Sequence, residues 1–199
     1  MSDNSNPITS PVKRRDFLRV GLVGSVSAGL GAFGVSFVGM LYPGPSEGFG
    51  SAIAHPEAPS DLYDRIVEQR APDEYNVARS LIVGWNPSLP GAMDLYGEDS
   101  VVIDDNRGLL ALSWKCVHLG CKVPWCQTSQ WFECPCHGSK YNRYGEYVGG
   151  PAPRGLDRYR STIDDQGRLV IDTGDVVTGP ARTANVLQQS QEGPNCTSL

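Results

Sequence analysis

The sequence predicts an all-β domain, an antiparallel sandwich or small barrel, preceded by a single membrane-spanning helix. Three observations predict it. Val20 to Tyr42 is an apolar run of 23 residues whose only ionisable side chain is the tyrosine that ends it. From Arg79 onward come six short runs rich in valine, isoleucine and aromatics, namely "RSLIVGW", "SVVID", "LLALSW", "WFECP", "YRSTID" and "RLVID". Turn chemistry such as "DDNRG" and "DDQG" separates them, a spacing typical of antiparallel sheets.

The apolar run would be about 34 Å long as a helix, enough to cross a hydrocarbon core of about 30 Å. A buried core helix of that length would need similar runs to pack around it, and none follows. Glycines at 21, 24, 29, 31, 34 and 39 weaken a helix in water but are tolerated in lipid. Lys13, Arg14, Arg15 and Arg19 precede the run, so residues 1–19 are expected in the cytoplasm and the chain after the 20–42 anchor across the membrane. "RRDFL" has the form of a twin-arginine export signal. "AIA" at Ala52 to Ala54 could pass for a signal-peptidase site, but the apolar run is longer than the usual 7–15 residues and lies well upstream, which favours an uncleaved anchor.

Residues 43–60 mix proline, glycine, serine and alanine without periodicity, the composition of a flexible linker. "SDLYDRIVEQRA" offers Ser60 as N-cap and Leu62, Tyr63, Ile66 and Val67 at helical spacing, which predicts one short helix. "STIDDQGRLVID" reads as two strands joined by a tight turn. The domain is expected over 61–177, with a polar, unpatterned tail over 178–199 lying on the surface or partly mobile. Residues 1–42 carry a net +2 and the remainder −7, a balance that excludes nucleic-acid binding by the main domain.

"CVHLGC", Cys116 to Cys121, and "CPCHGS", Cys134 to Ser139, each place cysteine and histidine in one tight loop, with His118 two residues after Cys116 and His137 three after Cys134. Two of the three histidines in the chain stand here. Six cysteines in an exported domain could form three disulfides, which leaves both histidines without a role. Structural zinc sites usually draw ligands from C-x2-4-C and H-x3-5-H pairs rather than from C-x-H with C-x2-H.

In these motifs the chain resembles the Rieske iron–sulfur proteins, whose C-x-H-x-G-C and C-x-C-H-G-S patterns are matched in register within about Arg79 to Thr173. The resemblance implies one [2Fe-2S] cluster per chain, with Cys116 and Cys134 on the inner iron, His118 and His137 on the outer iron, and a Cys121–Cys136 disulfide clamping the loops. Two imidazoles in place of thiolates raise such a centre to about −150 to +300 mV, against about −400 mV for plant-type ferredoxins. Ser139 and Tyr141 in "HGSKY" are implied as hydroxyl donors to the cluster's sulfurs. "GGPAP" matches a third loop, in which Gly150 and Pro151 cover the cluster, and Leu119 and Pro151 form an apolar rim. The implied fold is a Rieske-type sandwich with a small cluster-binding part at about 114–155. Val117 stands where threonine is common, and "VPWCQ" adds Cys126. Cys126 and Cys196 are left over, as free thiols or as a second disulfide between tail and cluster region.

The likeness to Rieske subunits of cytochrome bc and cytochrome bf complexes implies quinol as electron donor, a c-type or f-type cytochrome as acceptor, and cytochrome b as a neighbour in a dimeric complex. His137 is the favoured ligand to accept the quinol's hydrogen bond and carry away its proton, with His118 as the other candidate. The chain is then the iron–sulfur subunit of a quinol–cytochrome c or plastocyanin reductase, not catalytic alone, single-pass in a bacterial inner membrane with its cluster domain on the periplasmic side. The alternative is the small subunit of a periplasmic oxidase such as arsenite oxidase, where the serine and tyrosine positions are less regularly kept. A soluble Rieske ferredoxin normally lacks the disulfide pair and the anchor. Lys115, Lys122, Lys140, Arg143 and Arg154 surround the motifs in sequence, as a docking rim or as a solvated loop surface.

Overall fold

The computed structural model describes residues 13–41 and 50–197, apart from the side chain of Leu41. The chain divides into an N-terminal helical unit and a β-rich unit, each considered by itself.

Helix α1, Arg14–Leu41, starts before the apolar run. Arginine favours helix, and Asp16 in the first turn complements the positive end of the helix dipole. The side chains of Val20, Leu22, Val26, Leu30, Phe33, Phe37 and Met40 are exposed. The helix is long and apolar enough to cross a membrane. Tyr42, the expected last residue of the span, lies outside the described residues.

In chain order the second unit runs β1 (Ala52–Ala54), α2 (Pro59–Gln69), β2 (Asp73–Tyr75), β3 (Ser80–Trp85), α3 (Ala92–Tyr96), β4 (Val101–Asp104), β5 (Arg107–Ser113), β6 (Trp125–Cys126), β7 (Trp131–Glu133), β8 (Lys140–Tyr141), β9 (Tyr147–Gly149), β10 (Arg158–Ile163) and β11 (Leu169–Val177). All pairings between these strands are antiparallel, in a large sheet of order β1-β11-β10-β5-β3-β2 and a small one of order β6-β7-β8-β9. Strand β4 adds to β5 as well, pairing Val101 with Leu109, while β10 pairs Arg158 and Tyr159 with Leu112 and Ala111. The expected hairpin is β10–β11, turned at Gly167, whose φ of +74° suits glycine.

Strands β3 and β5 are buried on both faces, which is why they read as continuous apolar runs rather than as alternation. One face carries Ile82, Leu109 and Ala111 against Leu62 and Ile66 of α2. The opposite face carries Leu81, Val83, Trp85, Leu110 and Leu112 against Tyr96 and, from the small sheet and its loops, Val123, Phe132 and Tyr141. The period-two alternation of strand side chains thus builds two cores, and the small sheet rests on the second. It lies within residues 114–157, inserted between β5 and β10, whose pairing at Leu112 and Arg158 brings the ends of the insertion together.

Two sequence expectations are corrected here. The linker expected over 43–60 is shorter: 42–49 lie outside the described residues, but Ala52, Ile53 and Ala54 pair with Asp172, Ile171 and Val170, and α2 begins at Pro59. Small side chains that resembled linker composition suit an edge strand, and Ile53 packs on the first core. "AIA" is therefore part of the sheet. Ser60 is not the N-cap. Ala58 caps α2 in an extended conformation, Pro59 supplies a preset φ in the first turn, and the Ser60 hydroxyl donates to Asp61.

Candidate metal centre

The first motif follows β5 and the second joins β7 to β8, so both loops spring from strands packed on one core. Their backbones are folded alike. Cys116 N–H donates to Cys121 O and Gly120 N–H to Cys116 O, both at 2.8 Å. In the second loop Cys134 N–H donates to Ser139 O at 2.8 Å and Gly138 N–H to Cys134 O at 3.1 Å. The fifth residue of each motif is a glycine because the turn needs positive φ there, +83° at Gly120 and +75° at Gly138.

The turns bring the expected residues together. Cys116 and Cys134 are buried free thiols. The His118 and His137 rings lie 4.9 Å apart between centroids, nearly perpendicular. Cys121 and Cys136 are joined as a disulfide across the two loops, and the Cys134 sulfur lies within 4.8 Å of both its sulfurs. The third loop closes over the second: at Gly150, with φ +88°, an added Cβ would stand 2.5 Å from Gly138 O and 2.6 Å from Ser139 Cα. Pro151 and Leu119 are exposed beside it, while Ala152 is buried and its N–H donates to the Ser139 hydroxyl oxygen at 3.2 Å.

Donors converge on one sulfur. Burial pushes the Cys116 thiol up, but the Tyr141 hydroxyl at 3.1 Å, the His118 backbone N–H, Cys134 and the Ser139 hydroxyl together bring it below its usual value. Burial pushes Cys134 up, and its proximity to Cys116 adds to that. Burial, and then the Cys116 sulfur, raise Tyr141, which keeps its proton and stays a donor. A thiolate is the form that binds metals. Two sulfurs free of disulfides and two imidazoles fit a mixed cysteine–histidine iron–sulfur centre, and with only two disulfides among six cysteines the three-disulfide arrangement is excluded.

Sequence reasoning missed the residues that brace the second loop. Glu133, next to Cys134, is buried and accepts from Ser129 Oγ at 2.6 Å, Thr197 N–H at 2.7 Å and Thr197 Oγ1 at 2.9 Å. Glu146, fully buried, accepts from Asn142 Nδ2 at 2.6 Å, Val186 N–H at 2.7 Å, Tyr96 Oη at 3.1 Å and Leu187 N–H at 3.2 Å. Residues 186, 187 and 197 belong to the tail, which does lie over the surface but is held there by the Cys126–Cys196 disulfide. An acidic residue in "WFECP" hints at a buried partner, yet that partner is a backbone N–H 64 residues away, which no local pattern announces.

Four of the five basic residues around the motifs have partners of their own, while Lys115 is exposed. Lys122 pairs with Glu74 at 2.8 Å and lies over the Trp114 ring, Arg143 bonds Gln130 and Glu192, and Arg154 pairs with Asp157. Turned to suit its neighbours, the Asn195 amide serves both Glu133 and Lys140.

A family model of the Rieske [2Fe-2S] domain matches residues 75–160. The cytochrome b6-f complex iron-sulfur subunit of Synechococcus sp. (strain JA-2-3B'a(2-13)) is 34% identical over 162 residues, covering 80% of this chain and 87% of that one. Cytochrome b6-f complex iron-sulfur subunit 2 of Synechocystis sp. is 29% identical over 170 residues, 85% of this chain and 89% of its own length. The subunit of that complex from Chlorobaculum tepidum is 30% identical over 169 residues, 83% and 81% of the two chains. These alignments extend well beyond residues 75–160, so the likeness runs through the subunit as a whole, and the chain belongs to the Rieske [2Fe-2S] iron–sulfur proteins, with a [2Fe-2S] cluster as its cofactor.

Proposed function

We propose that the chain is the electron-transfer subunit of a quinol oxidoreductase, taking one electron from quinol and passing it to a c-type or f-type cytochrome. The observation that carries this reading is the accessibility of the ligand histidines. His137 is exposed and His118 half-buried beside an exposed Leu119, while both ligand sulfurs beneath are buried. A hydroxyl arriving from outside can therefore meet an imidazole without opening the site.

The bound cluster supplies one-electron chemistry at a potential within about −150 to +300 mV. The protein's own groups manage the proton and the substrate. The free ring nitrogen of His137 accepts the quinol's hydrogen bond and then its proton, in preference to the less exposed His118. Leu119 and Pro151 offer the apolar rim against which the quinol ring rests. Tyr141 and Ser139 aim hydroxyls at the Cys116 sulfur and favour its more negative state. Those two donors support quinol oxidation over a role as an oxidase small subunit.

The relatives' membership of cytochrome b6-f complexes supports cytochrome partners, which this reading takes as a b-type cytochrome and a c-type or f-type acceptor in a dimeric assembly. The basic residues ahead of the apolar run, Lys13, Arg14, Arg15 and Arg19, support a cytoplasmic N-terminus and a periplasmic cluster domain in a bacterial inner membrane, and two disulfides suit that compartment.

The test is a redox titration of the purified full chain at a series of pH values, followed by electron paramagnetic resonance. Above the pKa of the oxidised ligand histidine the midpoint should fall by about 59 mV per pH unit, one proton per electron. A pH-independent midpoint overturns the proton-coupled step.

A further inference from the structure

Away from the cluster tip, α2, β3 and β6 enclose a cleft of about 320 Å³ that no step of electron transfer uses. Ile66 and Val83 form its apolar floor, with Val67, Ala71 and the Trp125 ring as walls. Two guanidinium groups, Arg70 and Arg143, line the same cleft. Both turn to a single carboxylate, Glu192 of the tail: Arg70 pairs with Oε2, and Arg143 Nη2 lies 3.3 Å from Oε1. Arg143 also donates to Gln130 at 2.6 Å, and its guanidinium carbon lies 6.0 Å from the Trp125 ring centroid.

At this end of the cleft two guanidinium groups share one carboxylate, so a second anion would find an unneutralised positive charge there. The Glu192 side chain is 41% exposed, and its backbone N–H is bonded to Ser129 O at 3.1 Å. A mostly apolar pocket with a few converging polar groups is the usual form of a small-molecule site. Its volume is about twice the ~150 Å³ cavity that holds benzene, which suits a body of two fused rings.

We propose that this cleft binds a small aromatic anion of about two fused rings, whose body rests on Ile66, Val83 and Trp125 and whose carboxylate replaces Glu192 between Arg70 and Arg143. Glu192 is then a built-in competitor for the site. Removing its charge strengthens binding, the opposite of what removal of a contact does. Neither the cluster loops nor the electron-transfer reading enters this assignment, so the two stand or fall separately.

The probe is 2-naphthoate, titrated calorimetrically into the full chain in lipid nanodiscs against empty nanodiscs, with neutral 2-naphthamide as control. Saturable naphthoate binding is expected, tightened several-fold by Glu192→Gln and weakened about tenfold by Arg143→Gln or Arg70→Gln, as loss of a charge-assisted hydrogen bond requires. Val67→Trp, which fills the cleft, should abolish it with the cluster's resonance spectrum unchanged. No saturable binding, equal affinity for naphthamide, or indifference to Glu192→Gln and to both arginine variants overturns the proposal.

Discussion

Tyr141 lies fully buried beneath the site, with its hydroxyl 3.1 Å from the Cys116 sulfur. Because a donor to sulfur stabilises added negative charge, Tyr141→Phe should lower the midpoint potential by on the order of 40 mV, the equivalent of about 1 kcal/mol for one electron. Titration monitored by electron paramagnetic resonance measures it, and an unchanged unfolding temperature separates the electronic effect from a packing one. Gly150 acts through space alone. A methyl group there would collide with the backbone of Gly138 and Ser139 in a conformation that disfavours side chains, so Gly150→Ala should push the third loop off the second. Faster loss of the cluster's visible absorption, with far-ultraviolet dichroism retained, is the expected result. The two motifs that the fold brings together were legible in the sequence because metal binding demands particular side chains at particular spacings. Glu133 and Glu146 were not, because part of their donor sets comes from the far end of the chain.

At the scale of elements, the tail does more than cover surface. It supplies backbone N–H groups to two buried carboxylates that flank the second cluster loop, and a disulfide spanning 70 residues of sequence holds it in place. Cys196→Ser should cost about 2–4 kcal/mol of stability, most of it by freeing the unfolded chain. Hydrogen exchange should locate the rest: amides of 131–142 lose protection while those of β3 and β5 change little. Uniform loss over both regions would mean that the tail stabilises the fold without bracing the loop. The strands and their hairpin were readable from the sequence, since buried strands write their burial into valine, isoleucine and leucine. Two-residue strands such as β6 and β8 carry too few side chains to announce themselves.

For the whole folded unit, the N-terminal border is fixed by an ionic cluster. Asp73 is approached by His55 Nε2 at 3.3 Å and by Arg65 Nη2 at 3.0 Å, and Arg65 also holds Glu57 at 2.7 Å. The hydrogen bond from His55, and then those from Arg65, outweigh burial and hold the Asp73 carboxyl below its ordinary value. A carboxyl lowered in the folded state adds stability above its unfolded pKa of about 3.9 and loses it as pH falls through the folded value. Thermal unfolding from pH 7 to pH 3 should therefore show Asp73→Asn less stable than the parent at neutral pH, with the difference closing below about pH 4. A difference independent of pH would assign Asp73 a packing role instead.

The sequence by itself determined the membrane-length helix, the β character of the domain and the paired cysteine–histidine motifs of a [2Fe-2S] protein. Each follows from local information: a run of apolar residues, a period of two, or the coordination chemistry of one motif. Tertiary structure decided which sulfurs pair, since Cys126 and Cys196 meet only when the tail crosses the small sheet. It also decided that Ala52–Ala54 is an edge strand rather than linker, because a strand's hydrogen-bond partners, unlike its composition, lie elsewhere in the chain. The same distinction governs the two buried glutamates, whose donors from the tail include backbone N–H groups, identical in every residue and so invisible until the fold brings them near.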